Sequence, residues 1–190
     1  MRKEIVAAGF GGQGIVFMGI IAATAAGIYD DKEVAQSQSY GPSARGGACR
    51  TEVILSDEKI DYGKSIKPDV MVLMSQPAKE KYLGELEDEN TILIIDSSLV
   101  ENVSEKFKNV YKIPATDIAE KELGNVAAAN MVILGAVSSI TNLISLDGIK
   151  SAVRQKLENK QKVLELNLTA IDKGYQYGKN ILHGSDCLNG

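Results

Sequence analysis

The chain has 190 residues, of which 44% are hydrophobic and 24% charged, and its net charge is −4. This profile is typical of an ordinary globular α/β domain, and the acidic balance argues against nucleic acid as a partner. Two cysteines and one histidine are too few for a four-thiolate iron–sulfur cluster or a multi-histidine metal site, so no metal site is predicted.

In the N-terminal half, the sequence predicts five strands and two helices. Continuous apolar runs at 69–75 and 91–98 are typical of central parallel strands covered on both faces. The apolar stretch before Ile28 loosely resembles a signal peptide, but Glu4 and the glycines at 9–14 interrupt that pattern. The predicted strands span 4–8, 32–39, 48–56, 69–75 and 91–98, and the predicted helices span 15–28 and 76–90.

The C-terminal third predicts helices alone, over 114–125, 126–144, 145–160 and 161–182. We therefore expect a single three-layer Rossmann-like α/β domain over residues 1–182, with a mostly parallel sheet, and a flexible tail at 183–190. The distant cysteines fit a reducing compartment, so we expect a cytoplasmic protein. Every uncharged run is interrupted by glycine or polar residues, so we expect no membrane contact.

A glycine-rich loop follows the first predicted strand, in the sequence VAAGFGGQGIVFMG. Its G-x-G-x-x-G spacing between a strand and a helix is typical of phosphate binding at a helix N-terminus. A dinucleotide would also need an acidic residue at the end of the second strand, where Gln36-Ser37-Gln38-Ser39 stands instead. NAD is therefore disfavoured, whereas another phosphate ligand or a simple tight turn remains open. The candidate binding residues are Gly9, Phe10, Gly11, Gly12, Gln13 and Gly14.

A second glycine cluster lies in the sequence SQSYGPSARGGACRTE. An arginine on a glycine-flanked loop at the end of a strand suits capture of a phosphate or a carboxylate, and a surface salt bridge is the alternative. The candidate residues are Tyr40, Gly41, Arg45, Gly46 and Gly47. No catalytic residue is predicted, because the serines have no histidine partner and the carboxylate of Asp96 suits a turn better than catalysis.

Five segments together resemble a known family: GFGGQGI, SYGPSARGGACRTEVILSD, KPDVMVLMSQPA, AAANMVILGA and LNLTAIDKGYQYG. In this order, from residue 3 to about residue 178, they are similar to the gamma subunit of 2-oxoacid:ferredoxin (acceptor) oxidoreductases. The SYGPSARGG segment is most similar to the 2-oxoglutarate type.

The resemblance implies oxidative decarboxylation of a 2-oxoacid with coenzyme A to acyl-CoA and carbon dioxide, with ferredoxin as electron acceptor. It places thiamine diphosphate on alpha and beta subunits, and iron–sulfur clusters on the beta subunit and a ferredoxin-like delta subunit. The gamma chain would be structural, inactive alone, and able to help bind coenzyme A through Gly11, Gly12, Gln13 and Arg45. The alternatives are a gamma-type subunit of a pyruvate, branched-chain or indolepyruvate enzyme, a free-standing nucleotide-binding Rossmann-like protein, and an assembly module whose glycine loop is only a turn.

Overall fold

The computed structural model describes residues 1–40 and 48–184, which form a six-stranded sheet with helices on both of its faces. The strands are β1 (Arg2–Phe10), β2 (Glu33–Tyr40), β3 (Ala48–Ser56), β4 (Val70–Leu73), β5 (Ile92–Asp96) and β6 (Asn109–Ile113). The helices of this part of the chain are α1 (Ile15–Thr24), α2 (Gln76–Tyr82), α3 (Ala115–Asp117), α4 (Ala129–Thr141), α5 (Leu146–Leu157) and α6 (Gln161–Leu182). Short π-helical or 3₁₀ turns extend α1 to Tyr29, α2 to Glu85 and α3 to Glu122, and another, Val126–Ala128, precedes α4.

The strand order is β2-β3-β1-β4-β5-β6. β1, β4, β5 and β6 run parallel, whereas β3 is antiparallel to both of its neighbours, β1 and β2. Five strands therefore point the same way, and the predicted mostly parallel sheet is confirmed. Every residue of β4 is buried, as the uninterrupted apolar run predicts for a strand covered on both faces.

Two apolar clusters lie on opposite faces of the sheet. The larger one joins residues such as Ile5 and Val72 to α1, α4, α5 and α6. The smaller one joins residues such as Val6 and Leu73 to α2. Since side chains alternate along a strand, neighbouring residues serve different clusters, and the predicted three-layer architecture is confirmed.

Helix α4 is buried almost all round, because it lies between the sheet and α6. Glycines make this packing close: a Cβ on Gly174 would stand 2.6 Å from the carbonyl carbon of Val132, and one on Gly135 would stand 2.8 Å from the amide nitrogen of Tyr175. The small residues of the AAANMVILGA segment thus serve contacts between helices of this chain.

The buried carboxylate of Glu4 fixes the connection between β3 and β4 at the amino end of the sheet. It accepts hydrogen bonds from Arg2 Nε, from Ser65 Oγ and from the backbone N–H groups of Ile66 and Lys67, all within 2.8–2.9 Å. Burial raises the pKa of this carboxyl, and the four hydrogen bonds lower it by more, so the pKa lies below its usual value.

Candidate functional site

The glycine-rich loop connects β1 to α1 through a tight turn. The N–H of Gln13 donates to the carbonyl of Phe10 over 3.2 Å, and Gly12 takes a φ of 105° at the third position of this turn. A positive φ at that position favours glycine, as in a type II turn. Among the described residues, the N–H groups of Gly11 and Gly12 have no acceptor.

The side chain of Gln13 holds the loop from inside. Its Oε1 accepts from the N–H of Phe10 over 2.9 Å, and its Nε2 donates to the carbonyl of Met74 over 2.7 Å. Met74 follows β4, so the amide connects the loop to the end of the neighbouring parallel strand. A Cβ on Gly9 would stand 2.5 Å from Gln13 Oε1, which explains why glycine suits this position.

Gly14 is the residue that caps the N-terminus of α1. Its φ of 71° is left-handed, and its carbonyl accepts from the N–H of Met18 over 2.9 Å and from Asn130 Nδ2 over 3.0 Å. Asn130 is buried in the first turn of α4, where its amide takes the space that a Cβ on Gly14 would need. Asn130 is thus a buried residue whose amide connects α4 to the glycine loop.

The backbone N–H groups at the N-terminus of α1 are not used by side chains of the glycine loop. Within residues 1–40 and 48–184 no side chain caps the helix, and its first turn contains no acidic residue. The first amides of a helix have no partner within the helix, and the helix dipole places partial positive charge there. Together with the amides of Gly11 and Gly12, which meet no acceptor in the described part of the chain, this arrangement can bind an anion such as a phosphate group.

The described strand ends that flank the two glycine clusters in sequence lie at the same end of the sheet. Tyr40 at the end of β2 stands opposite Cys49 of β3, which stands opposite Gly9 of β1. Phe10 pairs with Ala48 in the same way. Tyr40 is 68% exposed and Phe10 39%, so both aromatic rings are accessible beside the loop. The predicted binding residues Gly41, Arg45, Gly46 and Gly47 lie outside the described residues.

Two other residues with reactive side chains, Asp96 and Cys49, have structural roles. Asp96 is fully buried and accepts from Thr116 Oγ1 over 2.6 Å and from the N–H of Ser98 over 3.1 Å, so it fixes turns, as predicted. Cys49 is also buried, which raises the pKa of its thiol and disfavours a reactive thiolate.

Arg50 was not singled out from the sequence. This residue lies near the same end of the sheet, on the sheet face that packs against α2. Its guanidinium stands 5.6 Å from the ring centre of Tyr82 and 2.8 Å from the carboxylate of Glu52. Arg50 lies within the quoted segment SQSYGPSARGGACRTE, but only the fold brings Tyr82 next to it.

Within residues 1–40 and 48–184, no group of three or more His, Cys, Asp or Glu side chains could hold a metal ion. In the same part of the chain, no helix is both long and apolar enough to span a membrane.

The family model of pyruvate ferredoxin/flavodoxin oxidoreductase matches residues 4–177. The chain belongs to this family. It is 44% identical over 183 residues to the 2-oxoglutarate synthase subunit KorC of Methanocaldococcus jannaschii, a match that covers 95% of this chain and 96% of that protein. The resemblance to gamma subunits, with the 2-oxoglutarate type foremost, is thereby confirmed.

Two solved structures have the same fold. One is the gamma subunit of a keto/oxoacid ferredoxin oxidoreductase from Geobacter sulfurreducens, with a TM-score of 0.80, 35% identity, and coverage of 93% of this chain and 98% of that one. The other is the 2-oxoglutarate:ferredoxin oxidoreductase of Magnetococcus marinus with 2-oxoglutarate, coenzyme A and succinyl-CoA bound. It has a TM-score of 0.81 and 30% identity, and the match covers 94% of this chain but 31% of that one.

Proposed function

We propose that this chain is the gamma subunit of a 2-oxoglutarate:ferredoxin oxidoreductase. The complex would convert 2-oxoglutarate and coenzyme A to succinyl-CoA and carbon dioxide and pass two electrons to ferredoxin. The observation that carries this proposal is the 44% identity, along nearly the whole chain, to a 2-oxoglutarate synthase subunit. The Magnetococcus marinus structure, which contains all three of 2-oxoglutarate, coenzyme A and succinyl-CoA, supports the same reaction.

We place the phosphate groups of coenzyme A at the glycine loop. The N–H groups of Gly11 and Gly12 and the first turn of α1 would donate to the diphosphate. The end of β2 supports coenzyme A over NAD, because Gln38 and Ser39 offer no carboxylate for ribose hydroxyls.

Two further sets of residues have different roles in this proposal. Gln13 would act by holding the loop, since its amide already bonds Phe10 and Met74. Tyr40, Gly41, Arg45, Gly46 and Gly47 remain predicted contacts, with the Arg45 guanidinium pairing with a phosphate or with a carboxylate of a partner subunit.

The redox chemistry would belong to partner subunits. Thiamine diphosphate would supply the carbanion chemistry from alpha and beta chains, and iron–sulfur clusters of the beta and delta chains would carry the electrons. The described residues of this chain do not fit a cluster, because they contain a single buried cysteine. This chain would thus be a structural subunit that helps to bind coenzyme A, in a complex located in the cytoplasm.

The proposal is tested with the complex purified anaerobically through a tag on this chain. We expect larger subunits, thiamine diphosphate and an iron–sulfur absorbance to accompany the chain. Ferredoxin or viologen reduction should then depend on coenzyme A and be fastest with 2-oxoglutarate among 2-oxoglutarate, pyruvate and 2-oxoisovalerate. A colourless chain that purifies alone would contradict the assignment as a subunit, and a preference for pyruvate would contradict the substrate.

The coenzyme A site is tested separately by calorimetric titration of the same complex. Gly12→Ala should weaken coenzyme A binding about tenfold, because the added Cβ strains the turn at a φ of 105°. Gly84→Ala is the matched control, since a Cβ there meets nothing within 4 Å and the glycine has no positive φ. Arg45→Ala should also weaken binding, and an unchanged affinity would remove Arg45 from the site.

A further inference from the structure

Among the residues that the structure describes, β2 is the outermost strand of the sheet and lacks the usual protection against pairing. Its eight residues pair with β3 in an unbroken register from Glu33↔Ser56 to Tyr40↔Cys49, so no bulge twists the strand away. It contains no Lys and no Pro, and Glu33 at its start is its single charged residue. Natural proteins protect exposed edge strands with bulges, charged residues such as Lys, and Pro. A strand that lacks these features is open to pairing with another strand.

The outer edge of β2 is open in the described part of the chain. There, its backbone forms ladder bonds with β3 only. The segment between β3 and β4 packs on a face of the strand rather than along its edge, since a Cβ on Gly63 would lie 3.3 Å from the side chain of Ala35.

We propose that β2 pairs with β2 of a second copy of this chain, antiparallel and with Ser37 on the two-fold axis. The two sheets then form one continuous sheet, and the equivalent faces of the two copies lie on the same side of it. This register places Val34 opposite Tyr40 of the second copy, which is a favourable β-branched and aromatic pair. It places Gln36 opposite Gln38, and it leaves Glu33 beyond the paired residues, so like charges do not meet.

Exposed apolar side chains favour the antiparallel arrangement. Tyr40 is 68% exposed at one end of β2, and Ile28 is 63% exposed in the π-helical turn that contacts the other end. Val34 shares the sheet face of Tyr40 and lies 3.4 Å from the Cβ position of Gly27 in that turn. Antiparallel pairing brings Tyr40 of each copy to the Ile28 end of the other, whereas parallel pairing would keep these residues apart.

The first test is the association state of the full chain by light scattering over a range of concentrations. We expect a dimer whose dissociation constant rises at least tenfold in Gln38→Lys, because a charge on this edge opposes pairing. The control Gln176→Lys, with the same charge change on the exposed face of α6, should leave the dimer intact. A monomer at every concentration, or a dimer that Gln38→Lys leaves unchanged, would overturn the proposal.

Cysteine cross-linking tests the register in a Cys187→Ser background. In Ser37→Cys the two Cα atoms would stand about 4.5–5.5 Å apart, which permits a disulfide. In the control Ser39→Cys they would stand about 14 Å apart, which does not. We expect an oxidised dimer from Ser37→Cys alone, and equal cross-linking of both variants would overturn the register. If the chain stays monomeric but Gln38→Lys prevents its recovery with the larger subunits, β2 pairs with a partner subunit and the proposed second copy is wrong.

Discussion

The amide of Gln13 donates to the carbonyl of Met74 over 2.7 Å, so the glycine loop is tied to the end of the neighbouring strand. Its Oε1 is also used, because it accepts from the N–H of Phe10. These two bonds fix the orientation of the Gln13 amide, and only the second N–H of its Nε2 is left to donate. The loop is therefore held rigid by its own side chain, which leaves the backbone N–H groups for a ligand.

Replacement of Gln13 should lower both stability and ligand affinity. Gln13→Glu would set a carboxylate oxygen against the Met74 carbonyl, and Gln13→Ala would leave that carbonyl without its donor. We expect each to reduce the free energy of unfolding by about 1–3 kcal/mol in urea denaturation. The control Gln176→Ala, on the exposed face of α6, should be nearly neutral. If Gln13→Ala lost coenzyme A affinity at unchanged stability, Gln13 would be a direct ligand donor instead.

Gly14→Ala should be costly at the cap of α1. The left-handed φ of 71° disfavours any side chain, and the new methyl would overlap the amide of Asn130. We expect a loss of about 2 kcal/mol or more in the free energy of unfolding. Asn130→Ala in the Gly14→Ala background should recover part of this loss, because it removes the overlap but not the strain. Strict additivity of the two substitutions would argue against contact between them.

Periodicity predicted the elements whose burial pattern is strong. The predicted bounds of β3 and α6 agree with the structure. β6 was missed, because four of its five residues are only partly buried or exposed and Lys112 interrupts the apolar pattern. The reversed direction of β3 was missed as well, since strand direction depends on how the chain returns to the sheet and not on the side chains of the strand.

The candidate site was predictable only where its geometry is local. The glycine spacing indicates the turn and the helix N-terminus, because these depend on neighbouring residues. The bond between Asn130 and Gly14 joins residues 116 positions apart, and the bond between Gln13 and Met74 spans 61. Such partners are set by tertiary packing, so one sequence without its fold gives no signal for them.

Close packing of α4 against α6 predicts that added methyl groups will be poorly tolerated. Alanine usually favours a helix over glycine by about 1 kcal/mol, but a Cβ on Gly174 would overlap the backbone of Val132. We expect Gly174→Ala to cost about 3 kcal/mol or more, seen as a lower Tm in calorimetry. Gly84→Ala, in open space, is the control. An unchanged Tm for Gly174→Ala would show that the two helices can separate without cost.

The Glu4 network predicts a loss of stability in acid. Its pKa is lowered from 4.5 in the folded chain, so its contribution is complete above pH 4.5 and disappears as the pH falls through the lower folded value. Glu4→Gln should cost about 1.5–3 kcal/mol at pH 7, because charged hydrogen bonds are lost. The difference in unfolding free energy between wild type and variant should then shrink below pH 4.5, measured by urea denaturation at several pH values. The exposed Glu58→Gln should show neither effect. A difference that stays constant from neutral pH into acid would mean that the shape of Glu4, and not its charge, fixes the connection between β3 and β4.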